Sequence, residues 1–391
     1  MKLINRMVKL GEICEIYGGG TPPRESKEYF GGEIPWFTPT EIGKDRIVGI
    51  SISKETLTKK GLANSSAKLL PIGSVIMTSR ASIGNIAIIE TEATTNQGFI
   101  NFVCPDSLNN KYLSYWLFTN KNRIENAANG ATFKEISRGK IKEFQIPLPP
   151  LATQKQIAAR LDAADALRQK DRELLARYDE LVRSIFMDLF GDPVKNEKGW
   201  TIMELEKVCD LITDGTHFSP PSTKAGIPYI TAKHLKAYGL DFYRDPTYIS
   251  KEEHKKIYTR CNPKKGDVLY IKDGATTGIA AINNYEFEFS MLSSLALIKP
   301  NKTVLNNYYL VCFLNHPIVK EHLINNSMAG AAIKRFTLSK INRFLIPIPP
   351  IESQQHFADL VQQIEAQKAI VQKQALKSEE LFQSLLQEAF G

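Results

Sequence analysis

Ile146-Pro147-Leu148-Pro149-Pro150 returns 200 residues later as Ile346-Pro347-Ile348-Pro349-Pro350, and each copy is followed at one offset by a glutamine, Gln154 and Gln354. Both copies run on to Phe-Gly, at Phe190-Gly191 and at Phe390-Gly391. Solenoid repeats span about 20–50 residues, so a period this long marks a duplicated domain. The proline pairs exclude helix before them and sharpen the start of one after them. The glycines supply the stops.

The spans between these signals read as helices. Steps of four and three from Ile157 reach Leu161, Ala164, Arg168, Asp171, Leu175, Tyr178, Val182, Ile185 and Leu189, with eight of ten positions apolar. The same steps from Phe357 reach Val361, Ile364, Lys368, Val371, Ala375, Ser378, Phe382, Leu385 and Ala389, again eight of ten. Each is an amphipathic helix with a heptad-like seam, about 40 residues or roughly 60 Å long. Such a helix needs a partner in water, and its twin is the natural one. Antiparallel pairing is expected, because it relates the two copies by a local two-fold axis. Both seams carry a basic residue in the same slot, Arg168 and Lys368, read either as side chains that snorkel at a weak part of the seam or as polar interruptions that specify the pairing geometry.

The repeat reaches forward into each globular half. Leu10 and Cys14 answer to Leu205 and Cys209, and Ile34-Pro35-Trp36-Phe37-Thr38 to Ile227-Pro228-Tyr229-Ile230-Thr231. Gly73-Ser74-Val75 matches Gly266-Asp267-Val268, Gly84 matches Gly278, and Gly130-Ala131 with Lys134 matches Gly330-Ala331 with Lys334. The stretches between do not match: Arg24 to Phe30 has no counterpart near His217 to Lys224, and Thr91 to Gly98 is unlike Tyr285 to Ser293. A shared frame with unlike loops is the pattern of two binding modules with different ligands.

Of 391 residues, 43% are apolar and 24% charged, enough for two ordinary domains with their own cores. The longest apolar stretch, Val75 to Ile89, contains Arg80 and two serines and is no membrane span, and Met1 to Leu10 is no signal peptide. A soluble, cytoplasmic protein is expected. The five cysteines, at 14, 104, 209, 261 and 312, show neither metal-ligand spacing nor a disulfide frame, and are expected as small buried hydrophobes.

The chain carries +8, yet residues 151–190 hold seven basic against seven acidic residues and residues 351–390 hold three against six. The globular segments therefore carry an excess of +11. Positive charge concentrated on two modules is the footprint of a phosphate-backbone binder.

Catalytic signatures are missing. Gly18-Gly19-Gly20-Thr21-Pro22 is glycine-rich but no dinucleotide fingerprint, and no Walker A motif occurs. Asn262-Pro263-Lys264-Lys265 lacks the second proline and the aromatic that an adenine methyltransferase needs, and Asp245, Glu253 and Lys255 fit a nuclease spacing only as loosely as chance provides. The reading is a recogniser, not a catalyst.

The order of these strings resembles the specificity subunit of type I restriction-modification systems. The resemblance is carried by the two Ile-Pro-x-Pro-Pro segments with their glutamines, Phe190-Gly191-Asp192-Pro193 through Gly199-Trp200, Gly32 through Thr38, and Asp214-Gly215-Thr216-His217 with Gly226-Ile227-Pro228, and it spans essentially the whole chain. It implies an α+β architecture of two pseudo-repeated target-recognition domains, residues 1–150 and 192–350, joined and separated by two long antiparallel coiled-coil helices, residues 151–191 and 351–391. It also implies a subunit without catalysis. Each domain would read one half of an asymmetric bipartite double-stranded DNA target, with the helices setting the spacer and docking two DNA methyltransferase subunits, which restriction and translocase subunits can join. No cofactor is expected on this chain, since S-adenosylmethionine, ATP and Mg belong to those partners. The competing class is a coiled-coil DNA-bridging or regulatory protein without sequence preference.

Phosphates call for Lys and Arg, and base edges for Arg, Lys, Asn or Gln. On loops flanking the frame, the expected DNA contacts are Arg24, Lys27, Lys44, Arg46, Arg80 and Lys134 in the first module. In the second they are His217, Lys224, Lys233, His234, Lys272 and Lys334. Lys134 and Lys334 share a Gly-Ala-x-x-Lys loop, as a sequence-independent phosphate grip would. Trp36 and Tyr229 are expected as core or platform residues at a strand end.

Overall fold

The computed structural model describes residues 6–44, 46–80, 82–130, 134–236, 239–328 and 335–391. The two proline-proline signals each start a continuous 40-residue helix, α1 (Leu151–Phe190) and α2 (Ile351–Phe390). All twenty seam positions counted from the sequence are buried or half-buried, as a 3.5-residue apolar period requires of a helix with a partner.

The chain divides into two compact units that do not follow the sequence segments. Unit 1 is Met1–Glu173 with Gln372–Gly391, and unit 2 is Leu174–Val371. The helices form no body of their own, because each gives one half to each globular part and its apolar stripe is covered there.

In unit 1, β1 (Glu15–Gly18), β2 (Val48–Ile50), β3 (Val75–Thr78), β4 (Ile86–Ile89) and β5 (Phe99–Val103) form a sheet in the order β1-β5-β3-β4-β2. Its central strands are short, apolar and almost wholly buried, covered on one face by Tyr112, Leu113, Trp116 and Leu117 of the helix Asn110–Thr119 and on the other by Phe37 and Leu70. A smaller sheet pairs Phe30–Phe37 antiparallel with Glu55–Leu57 and parallel with Thr94–Thr95. The first half of α1 meets the last part of α2 antiparallel: Arg160 faces Glu388, Arg168 faces Glu379, and Asp171 bonds Ser378 and Gln374.

Unit 2 repeats this plan with one strand fewer. β6 (Cys209–Asp214), β7 (Val268–Ile271), β8 (Ala280–Ile282) and β9 (Leu295–Pro300) stand in the order β6-β9-β7-β8. Ile227–Ile230 again pairs with one antiparallel and one parallel short strand. Phe186 and Phe190 of α1 pack on Phe357 of α2 and Tyr309 of the domain, with ring centroids 4.8–5.7 Å apart. The helices are antiparallel here as well, Lys368 reaching Asp179 at 2.8 Å.

The two seam cations do more than snorkel. Arg168 bonds Asp165, three residues before it, and Glu379 across the seam, and lies 4.1 Å from the centroid of the Phe382 ring. Lys368 bonds Glu365, three residues before it, and Asp179 across the seam. Burial works against the Lys368 charge, but the two carboxylates outweigh it and hold its pKa above the ordinary value. The triad Asp165–Arg168–Glu379 is thus answered by Glu365–Lys368–Asp179, every member 200 positions from its counterpart.

The glutamines are the joints between helix and domain. Gln154 is fully buried; its Oε1 accepts from the Asn109 N–H, and its Nε2 donates to the carbonyls of Ser107 and Pro149. Gln354 repeats this with the Asn306 N–H and the carbonyls of Val304 and Pro349. One amide side chain satisfies three main-chain groups that helix start and loop would otherwise leave unpaired.

Candidate nucleic-acid interface

Strand pairing fixes which residues of the two units are equivalent. Gly18 pairs with Ile100, which pairs with Met77; Asp214 pairs with Ala296, which pairs with Tyr270. Gly18 and Asp214 therefore occupy one slot. Ser79 donates its N–H to the Gly98 carbonyl and accepts from the Ile136 N–H, as Lys272 does with Ser294 and Phe336, so these two share a second slot. Arg80 bridges Glu135 where Asp273 bridges Arg335, so a third and a fourth slot carry opposite charges in the two units.

In unit 2 the first two slots hold an ion pair. The Lys272 ammonium lies 3.2 Å from Asp214, and both side chains are only 3% exposed. Arg260 bonds the same carboxylate and the carbonyls of Asp214 and Gly215, and His217 Nε2 lies 3.4 Å from it. In unit 1 the same slots hold a glycine and a serine, and a cleft of about 580 Å³ opens there. Gln97, Asn129, Glu135 and Arg138 stand on its rim. The Arg138 guanidinium covers Gly18, with its Nε 3.5 Å from where a Cβ would stand.

The expected contact residues divide into groups. Lys27, Lys44, Arg46, Lys134 and Lys224 are exposed and Arg80 half-buried, and none makes an ion pair among the described residues. Arg24 is exposed but engaged: it pairs with Glu55 and lies over the Phe30 and Trp36 rings at 4.9 and 4.8 Å. Lys233 pairs with Asp245 at 2.9 Å, and His217 leans on Asp214. Lys334 lies outside the described residues.

Two expectations are corrected. Lys272 is not a surface cation, because its charge is consumed by Asp214 inside the domain. His234 is fully buried and caps a turn: its Nδ1 accepts from the Thr231 N–H at 2.9 Å, so its Nε2 carries the proton and donates to the Asp245 carbonyl. Glu41 does the same work in unit 1, accepting from the Thr38 N–H and hydroxyl. Burial holds the His234 pKa below its ordinary value, which keeps the ring neutral as an acceptor. Trp36 and Tyr229 are core residues, and the Trp36 indole donates to the Gly20 carbonyl.

The chain matches the type I restriction modification DNA specificity domain over residues 5–176 and again over 197–379. It is 31% identical to the type I restriction enzyme MjaIX specificity subunit of Methanocaldococcus jannaschii, over 97% of this chain and 90% of that one. The chain belongs to the type I restriction-modification specificity family. A second relative from that organism, the putative type I restriction enzyme MjaX specificity subunit, is 26% identical over 91% of this chain and 86% of its own length. The crystal structure of the S subunit from M. genitalium shares the fold, with a TM-score of 0.61 at 15% identity over 100% of this chain and 97% of that one. As a specificity subunit the chain is a DNA-recognition protein rather than an enzyme. Among the described residues no helix is long and apolar enough to cross a membrane.

Specificity must then come from the slots and loops that differ between the units. Sequence reasoning passed over Arg138 and Arg260. A signal for Arg138 was present: Ser137-Arg138-Gly139-Lys140-Ile141 answers to Thr337-Leu338-Ser339-Lys340-Ile341, and a charge replaced by leucine inside a matching stretch marks a changed surface.

Proposed function

We propose that each unit's globular domain reads one half of an asymmetric, bipartite duplex target, and that the two long helices set the unread spacer between the halves. The observation that carries this reading is the contrast within the repeat. The glutamine joints are duplicated bond for bond and the caps and seam triads recur in the same places with exchanged residue types, while the slots around Gly18 and Asp214 carry unlike chemistry. Identical frames give two readers one docking geometry, and unlike slots give them different bases. Lys27, Lys44, Arg46, Arg80, Lys134 and Lys224, which make no ion pair among the described residues, are the phosphate contacts of this reading, and Lys334, at the position of the repeat that matches Lys134, is the second copy of a shared grip.

Methyl transfer and cleavage fall to partners: two DNA methyltransferase subunits docked on the helices, and restriction and translocase subunits beyond them, which supply the sites for S-adenosylmethionine, ATP and Mg. On α1 the exposed Leu167, Leu174 and Leu181 recur every seven residues outside the seam, a stripe suited to a partner surface. Long-read methylome sequencing of a host with and without the gene tests the proposal. A methylated motif of two unlike halves with a fixed gap is expected, and a continuous or palindromic motif would overturn it.

A further inference from the structure

The open slot of unit 1 has the equipment of a base reader, and its plugged counterpart in unit 2 does not. Arg138 and Glu135 stand on the cleft rim, both exposed, and neither side chain has a hydrogen-bond or ion-pair partner among the described residues. At the equivalent positions unit 2 carries Leu338, which has no charge, and Arg335, whose guanidinium lies 3.7 Å from Asp273. The floor differs in the same sense: Gly18 and Ser79 leave room, whereas Asp214 and Lys272 fill it with an internal ion pair.

The sign of the charges decides between phosphate and base. A phosphate oxygen would be drawn to Arg138 but repelled by the Glu135 carboxylate on the same rim. A base pair offers both complements at once: guanine O6 and N7 accept from a guanidinium, and cytosine N4 donates to a carboxylate. We infer that the unit 1 cleft reads a G·C pair in its half-site, Arg138 donating to guanine and Glu135 accepting from cytosine, and that unit 2 reads its half-site without this slot. The inference rests on the bipartite DNA reading above and assigns one of its specificity residues.

The full chain, copurified with methyltransferase subunits, is selected against a pool of random duplexes and the bound DNA sequenced, each half-site being scored separately. Arg138→Leu, which installs the residue of unit 2, is expected to weaken the preference for guanine at one position of one half-site by roughly 10- to 100-fold and to leave the other half-site unchanged. Gly18→Asp with Ser79→Lys, which installs the closed floor of unit 2, is expected to act likewise, because it fills the cleft and sets a carboxylate against Arg138, as Asp214 bonds Arg260 beside Lys272. Arg138 is exposed, so its loss leaves the fold intact, and a thermal melt verifies this for both variants. A two-part wild-type profile that Arg138→Leu leaves intact would overturn the assignment. So would a loss shared equally by both half-sites, since that is the signature of a non-specific grip. A wild-type profile without two unlike halves would instead overturn the bipartite reading beneath it.

Discussion

Replacing Gln154 by alanine should loosen unit 1 at a predictable cost, because that side chain's three bonds all go to main-chain groups that cannot move to new partners. The Asn109 N–H donates to Oε1 at 2.9 Å, and Nε2 donates to Ser107 O at 3.0 Å and Pro149 O at 2.8 Å. Each net hydrogen bond is worth about 0.5–1.5 kcal/mol, and each buried group left unpaired costs about 1–3 kcal/mol. Water can reach the Asn109 and Ser107 ends, so a total loss of about 2–4 kcal/mol is expected. Gln354→Ala breaks the same three bonds in unit 2 and should cost the same within about 0.5 kcal/mol. Gln154→Glu separates the donor from the acceptor: it keeps Oε1 but points a carboxylate at two carbonyls, which only its protonated form can bond. Its folded pKa is therefore raised above the unfolded value of about 4.3, and its stability is highest below that value and lost as pH rises. Urea titration with hydrogen exchange read by mass spectrometry, on peptides covering 145–160 and 345–360, reports each unit separately. Losses under about 1 kcal/mol at both joints, or a Gln154→Glu variant equally stable at pH 4 and pH 7, would refute the reasoning.

All six histidines, at 217, 234, 254, 316, 322 and 356, lie in unit 2, and burial holds His234 and His316 below their ordinary pKa. The unfolded chain thus takes up protons first, so unit 2 should lose stability as pH falls below about 6.5 while unit 1 does not do so through histidine; His234→Gln, which keeps the acceptor, should flatten that slope, and an unchanged slope in urea melts at pH 7 and 5.5 would count against it. Asp214→Gly leaves the Lys272 ammonium buried alone and should cost about 3–5 kcal/mol, whereas Asp214→Gly with Lys272→Ser, the residues of unit 1, should cost less than the single change. Additive losses in that double-mutant cycle would show that the pair does not act as a pair. Seven residues inserted after Leu174 and after Gln374 together keep both heptad seams and lengthen each helix by about 10.5 Å, which should widen the methylated motif's gap by about three base pairs with unchanged half-sites. An unchanged gap would remove the helices as spacer.

The helices and their antiparallel partnership were legible because their signals are local and repeated. Proline pairs, a 3.5-residue apolar period and terminal glycines each act through the backbone without help from distant residues. The joints were visible as a repeated glutamine but not as hydrogen bonds, since two of the three partners of Gln154 lie 45 and 47 residues upstream in sequence. Charge was the least legible property. Lys272 and His234 look like their exposed neighbours in the sequence, and only the strand register brings Asp214 to the one and places the other in the turn that Glu41 caps in unit 1. Arg138 was legible only as a charge that the repeat replaces by Leu338; that it has no ion-pair partner among the described residues depends on what stands across the sheet, which its own segment does not show.

That register also accounts for how one frame comes to hold two readers. A lone carboxylate or ammonium in the slot of Asp214 or Lys272 would be buried without compensation, so a change in one slot is tolerated only with the matching change in the other. Gly18 with Ser79 and Asp214 with Lys272 are the two compensated states, neutral and open or charged and closed. On the rim, where water screens, the constraint relaxes. Arg80 and Glu135 sit opposite each other across a backbone bridge in unit 1 without a side-chain ion pair among the described residues, whereas Asp273 and Arg335 pair at 3.7 Å in unit 2, and opposite charges at such cross-strand positions contribute only about 0.2–1 kcal/mol. The rim is therefore free to change with the DNA it meets, whereas the floor switches only as a pair, and joints and seam triads that depend on neither keep the frame constant beneath both.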